Sequence, residues 1–198
     1  MNKRTSRQLA DSLVAILLAL LVTYFLDGRL GIMIGYPMAV GLLPLVWLAL
    51  RYGVASGIMV GALTGLILMA LSQPSDWVAA FLVKAVPWLG VGFAGLFAKY
   101  TQKTLNNKRY SSTYLNIWTG SLLTVLVFYL LGRWLLPWLL DQEVQVPIHS
   151  LNFWLGALVT WLVISLTLSL LARFQPRGLI PRRTRYLSRK ETSSLLND

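Results

Sequence analysis

The sequence predicts an all-α integral membrane protein, a six-helix bundle with its N- and C-termini cytoplasmic. Three observations carry that prediction. Of the 198 residues, 56% are hydrophobic and 13% are charged, with a mean hydropathy of +0.63, less charge than a soluble domain of this size carries. The apolar residues come in long runs, each close to the ~20 residues a helix needs to cross about 30 Å of hydrocarbon. The Lys and Arg residues fall between those runs and in the tails, almost never within them. Continuous apolar stretches, as opposed to alternating strands of about 10 residues, exclude a closed barrel.

Six spans are expected, at residues 9–26, 32–50, 54–71, 77–98, 117–137 and 152–171. The first run has no small-residue cleavage pattern after it, so it reads as a span and not as a removable signal. Six spans place fifteen cations on one side. They are Lys3, Arg4 and Arg7, then Arg51, then Lys99, Lys103, Lys108 and Arg109, and seven in residues 173–190. The opposite connections hold Arg29 alone, together with Asp27, Asp76, Asp141 and Glu143. The positive-inside rule then puts both termini in the cytoplasm, and one span more or fewer would scramble the segregation. The net charge of +11 is thereby a topological signal, and no nucleic-acid partner is expected.

The first span carries Ala15 and Ala19 four apart, a small-residue face. The second contains Pro37 and Pro44, which free carbonyls and predict an unwound stretch over residues 31–37, after a short outer loop at Asp27-Gly28-Arg29. Gly53, Gly57, Gly61 and Gly65 then recur every fourth residue. That stripe is a groove where another backbone can approach. It serves either for packing within the bundle or as a sliding surface. The fourth span holds Lys84 and Pro87, and residues 100–113 read as a polar, basic loop on the cytoplasmic side. The fifth carries Tyr129, Arg133, Trp134 and Trp138 toward its outer end. The sixth opens with Asn152, Phe153 and Trp154. Residues 1–174 form one spanning domain, and residues 175–198 a basic tail expected to lie against anionic headgroups.

No Walker loop, zinc spacing or Ser/His/Asp set is present, there are no cysteines, and the single histidine is His149. Neither catalysis nor a cofactor or metal is expected. The unusual residue is Lys84, seven residues into the fourth span. A lysine at that depth costs roughly 2.5–3.5 kcal/mol on insertion scales unless it faces the bundle or water. Trp77, Phe81, Lys84 and Trp88 share its face by helical spacing. Lys84 either lines a pocket or snorkels outward to pair with Asp76. Tyr129, Arg133, Asn152 and Trp154 lie at the same depth on two further spans. Together these eight residues outline an outward-open site for a small, flat, polar molecule. The cations favour a carboxylate or phosphate on it.

Two stretches carry a family resemblance. Gly41-Leu42-Leu43-Pro44, Leu48-Ala49-Leu50-Arg51-Tyr52-Gly53 and the glycines that follow resemble the second-to-third-span region of substrate-binding (S) components of energy-coupling factor transporters. The thiamine-specific branch is the most similar, and Gly92-Phe93-Ala94-Gly95-Leu96-Phe97 resembles that branch's exit from the fourth span. The resemblance implies six helices and a vitamin site in the outer halves of spans four to six, lidded by the first outer loop. It implies a bacterial cytoplasmic-membrane protein partnered by a transmembrane coupling subunit and two cytoplasmic ATPase subunits. Ala15 and Ala19 match the alanine motif that contacts the coupling subunit, and smooth faces on spans one to three would suit toppling in the membrane. Counted back from Ala94, the branch's glutamate–tyrosine pair falls at Val83-Lys84. Its fifth-span histidine falls near Phe128, and its sixth-span asparagine near Leu155. The expected ligand is therefore thiamine-related or another small, anionic vitamin or precursor. The competing expectation is a structural membrane protein of the cell-elongation machinery, similar to MreD, with an empty outer cavity.

Overall fold

The computed structural model describes residues 3–30, 37–142, 146–181, 184, 186 and 187. The chain runs through α1 (Thr5–Asp27), a shorter apolar α2 (Leu42–Tyr52), α3 (Val54–Leu71), α4 (Trp77–Asn106), α5 (Tyr110–Leu139) and α6 (Leu151–Phe174). A single turn, α7 (Pro176–Leu179), follows. All of these except α2 and α7 are long and apolar enough to cross a membrane. No strand occurs among the described residues.

The punctuation of the sequence explains most of the boundaries. Gly53, at φ 94°, breaks α2 from α3 in a conformation that L side chains resist. Ser72-Gln73-Pro74 ends α3, and the Asp76 carboxylate then caps α4 by accepting from the amides of Val78 and Ala79 at 2.9 and 3.1 Å. Ser150 caps α6 through the Phe153 amide. Residues 31–36, where unwinding was expected, lie outside the described residues. The chain just after them, residues 37–41, is non-helical as its proline predicts.

The glycine stripe is used for packing inside the bundle. A Cβ on Gly61 would stand 2.2 Å from the Trp88 carbonyl oxygen, and one on Gly65 would stand 2.8 Å from the Ala85 backbone. The α3 stripe is thus filled by α4 and is not free to slide against lipid. Ala15 and Ala19 are buried as well: both have no exposure. A Cβ on Gly41 would stand 3.1 Å from the Ala19 carbonyl oxygen. Their face packs on α2, so neither side chain is available to a coupling subunit in this arrangement. Leu13, Leu17 and Leu21 form the exposed face of α1 instead.

Two expected loops are helical. The helix of the first span continues as far as Leu30, through the expected Asp27-Gly28-Arg29 loop. The expected 100–113 loop is helical up to Asn106 and again from Tyr110. Thr101, Gln102 and Asn106 are buried there: the Gln102 amide donates to the carbonyls of Leu50 and Arg51, in α2, at 3.1 and 2.8 Å. Polar groups that close off a neighbouring helix end read as loop by composition alone.

That end of the bundle is centred on Arg51, 6% exposed. Its Nε lies 3.2 Å from the Asp11 carboxylate. Its Nη1 donates to the carbonyls of Arg177 and Gly178, and the rings of Trp47 and Tyr52 flank it at 5.5 Å. The Trp47 indole also donates to Gly178. Leu179, Ile180 and Leu187 are buried, so the start of the expected tail docks on the bundle instead of lying apart from it.

Candidate ligand site

The other end is built differently. Three spans depart from α-helical winding at the same level. π-helical turns run over Thr23–Leu30, Phe81–Ala85 and Leu130–Leu135, with Val86 N–H donating to the Phe81 carbonyl and Leu136 N–H to the Leu131 carbonyl. A tighter 3-10 stretch, Val86–Gly90, follows the second of them. Pro87 has no amide to continue the α ladder. π turns inside helices recur at functional sites because the extra residue opens the helix and re-aims side chains.

A cavity of about 360 Å³ lies among these turns, within the ~300–1,000 Å³ range of ligand pockets. α4 contributes Val83, Lys84, Pro87 and Trp88, and α5 contributes Phe128, Gly132, Arg133 and Pro137. Thr23 and Leu68 close it from α1 and α3, and Gln142 and Val146 from the loop after α5. Gly132 lets the two main walls meet, because a Cβ there would stand 2.8 Å from the Pro87 ring.

Three of the eight sequence-predicted residues line this cavity. Trp88 is buried and meets Phe128 edge-on at 5.1 Å. Lys84 is exposed yet lines the cavity, which places it at the rim. Of the two alternatives for Lys84, the pairing with Asp76 is not found among the described residues; that carboxylate caps α4. Arg133 donates from Nη2 to the Met38 carbonyl at 3.2 Å and stands 5.5 Å from the Tyr129 ring. Its Nε is buried without a hydrogen-bond partner among the described residues.

The other five stand elsewhere. Trp77 and Phe81 are 56% and 44% exposed and do not line the cavity. The four-residue spacing that put them beside Lys84 assumes 3.6 residues per turn, and the π turn beginning at Phe81 breaks that phase. Tyr129 is fully buried. Its hydroxyl engages the Pro37 carbonyl and the Thr160 hydroxyl, and Thr160 accepts from Ala39 N–H. It is a positioning residue, tying residues 37–39 to α5 and α6. Asn152 is exposed in the first turn of α6. Trp154 donates to the Ile148 carbonyl and lines a separate apolar groove with Leu122, Leu126 and Trp161. The sixth span therefore does not reach the cavity, and α1 and α3 do.

Asp27 was read as a loop residue. Its two carboxylate oxygens accept from the amides of Val40 and Gly41 at 2.7 and 3.0 Å, within electrostatic reach of Arg133. Thr160, Gly132 and Thr23 carry no signature in a single sequence, because their roles depend on which helix lies opposite.

The family model described as thiamine transporter protein (Thia_YuaJ) matches residues 9–134. A solved structure of ThiT from Listeria monocytogenes is similar in fold, with a TM-score of 0.73 at 19% identity over 91% of this chain and 100% of that chain. No curated protein matches this chain. The S-component resemblance read from the sequence is met, and with it the reading of a multi-pass membrane protein. The chain belongs to the thiamine transporter protein family.

Proposed function

We propose that the protein is the membrane-embedded binding component of a vitamin uptake transporter and that the cavity at the Lys84 end is its ligand site. The ligand is thiamine or a thiamine-related molecule, or another small vitamin or precursor. The observation that carries this reading is the convergence of Lys84, Arg133 and Trp88 on one cavity between opened helices. A buried indole edge-on to Phe128 offers a stacking wall, and two cations at the same cavity supply polar selectivity. Both termini are cytoplasmic in this reading, as the charge segregation favours, and the cavity then opens outward from a bacterial cytoplasmic membrane. ATP is hydrolysed on other chains: a transmembrane coupling subunit and two ATPases form the transporter with this component. The protein binds and delivers; it does not catalyse.

Purified protein titrated with a vitamin panel, read by tryptophan fluorescence, tests the binding step. Saturable quenching by a thiamine-related compound, lost in Lys84→Ala, is expected. The absence of any response across the panel contradicts the proposal. Co-expression with an energy-coupling module and recovery of a four-chain complex tests the coupling step.

A further inference from the structure

The turn that ends α5 brings one more residue to the cavity. Beyond Leu139 the chain closes in a Schellman turn. The Gln142 amide donates to the Pro137 carbonyl at 2.9 Å, and the Asp141 amide to the Trp138 carbonyl at 3.4 Å. Asp141 takes the left-handed conformation that such a turn needs, at φ 48°, which aspartate tolerates better than most side chains. The chain doubles back, and Gln142 and Pro137 both line the cavity. In a turn of this kind the position of Gln142 often carries an apolar side chain that packs on the helix end. A carboxamide forgoes that packing.

The Gln142 side chain is exposed and makes no hydrogen bond to a described residue. The other polar side chains of the wall differ from it. Lys84 and Arg133 donate only, and the Thr23 hydroxyl oxygen is buried against Gly41. The Gln142 amide offers a donor and an acceptor in one plane. That pattern pairs with an amino group beside a ring nitrogen, as glutamine does on the edge of adenine.

We propose that Gln142 is a specificity-determining residue of the ligand site and reads an aminopyrimidine-type edge. Its carbonyl accepts from the exocyclic amine, and its amide donates to the neighbouring ring nitrogen. This inference rests on reading the cavity as the ligand site. The buried Trp88 and Phe128 meet the apolar part of the ligand, and Gln142 reads its polar edge. The contact is between neutral groups, so it operates whatever charge the rest of the ligand carries.

Thiamine and its desamino analogue, in which hydrogen replaces the ring amine, isolate this contact from the rest of the ligand. Dissociation constants are measured by calorimetry on the purified full chain and on Gln142→Leu, with Gln142→Ala in its place if the leucine protein melts lower. The unaltered protein is expected to bind thiamine about tenfold tighter than the desamino analogue. Gln142→Leu should weaken thiamine by about that factor and leave the analogue nearly unchanged, so the preference collapses. A merely structural role would weaken both compounds alike. If the unaltered protein binds both compounds equally, or Gln142→Leu leaves their ratio as it was, the inference is wrong and the cavity keeps its assignment. If neither compound binds the unaltered protein, the assignment of the cavity fails, and the inference fails with it.

Discussion

Two arginines at opposite ends of the bundle show what each end is for. Arg51 is enclosed by the Asp11 carboxylate, two carbonyls of the α7 region and two aromatic rings. Arg133 has one carbonyl and one ring, and no carboxylate in salt-bridge contact among the described residues. A buried guanidinium is costly unless its donors are met. At the Arg51 end a carboxylate in direct contact balances the charge, even though the Arg51 Nε, like that of Arg133, makes no hydrogen bond among the described residues, and the helices there are regular. At the Arg133 end the helices open into π turns around a cavity, and the remaining donors await something from outside. The first arrangement fixes a structure, and the second is the one proposed to receive a ligand.

The comparison predicts opposite consequences for similar substitutions. Arg51→Ala leaves Asp11 beside the bundle core without its cation and frees two carbonyls, and should destabilise the protein by about 3 kcal/mol. Detergent-solubilised protein followed by thermal unfolding gives the value, and limited proteolysis should show new cleavage after Arg177. Arg133→Gln removes one hydrogen bond to Met38, so its stability cost should be about 1 kcal/mol or less, while ligand affinity falls. Equal loss of stability in the two variants would erase the distinction drawn here.

Gly132→Ala sharpens the comparison from the cavity side. The added methyl meets the Pro87 ring at 2.8 Å, so α4 and α5 must part, at a cost of about 1–2 kcal/mol. Binding should weaken even though no polar group has changed, which a paired titration and melting curve would register. The smallest effect is expected at Trp47→Phe. It loses the indole donation to Gly178 and keeps the ring beside Arg51, for about 0.5–1 kcal/mol. Faster proteolysis beyond residue 175, with unaltered ligand affinity, is the expected readout.

The sequence carried the architecture where its punctuation was local. The third span runs from Val54 to Leu71 as expected, because Gly53 and Ser72-Gln73-Pro74 mark its ends. The polar helix segment from Tyr100 to Asn106 was expected to be loop, since Thr101, Gln102 and Asn106 look solvated until α2 is placed against them. The site was half legible. Lys84 stood out by its cost in hydrocarbon, Trp88 by its spacing from Lys84, and Arg133 by depth. Trp77 and Phe81 were misplaced because a π turn shifts the phase of a helix, and three such turns at one level leave no periodic trace. The small-residue faces were legible as packing faces, but one sequence does not say whether the partner is another chain or the next helix. For Gly61 and Ala19 it is the next helix.

The most direct test of the account is fluorescence titration of Trp88→Phe beside the unaltered protein. Among the described residues Trp88 is the one tryptophan lining the cavity, and phenylalanine preserves an aromatic wall there. The account predicts saturable quenching by a vitamin ligand in the unaltered chain and loss of most of that signal in Trp88→Phe, with calorimetric affinity changed by less than about tenfold. Full quenching retained in Trp88→Phe would place the ligand elsewhere and contradict the account.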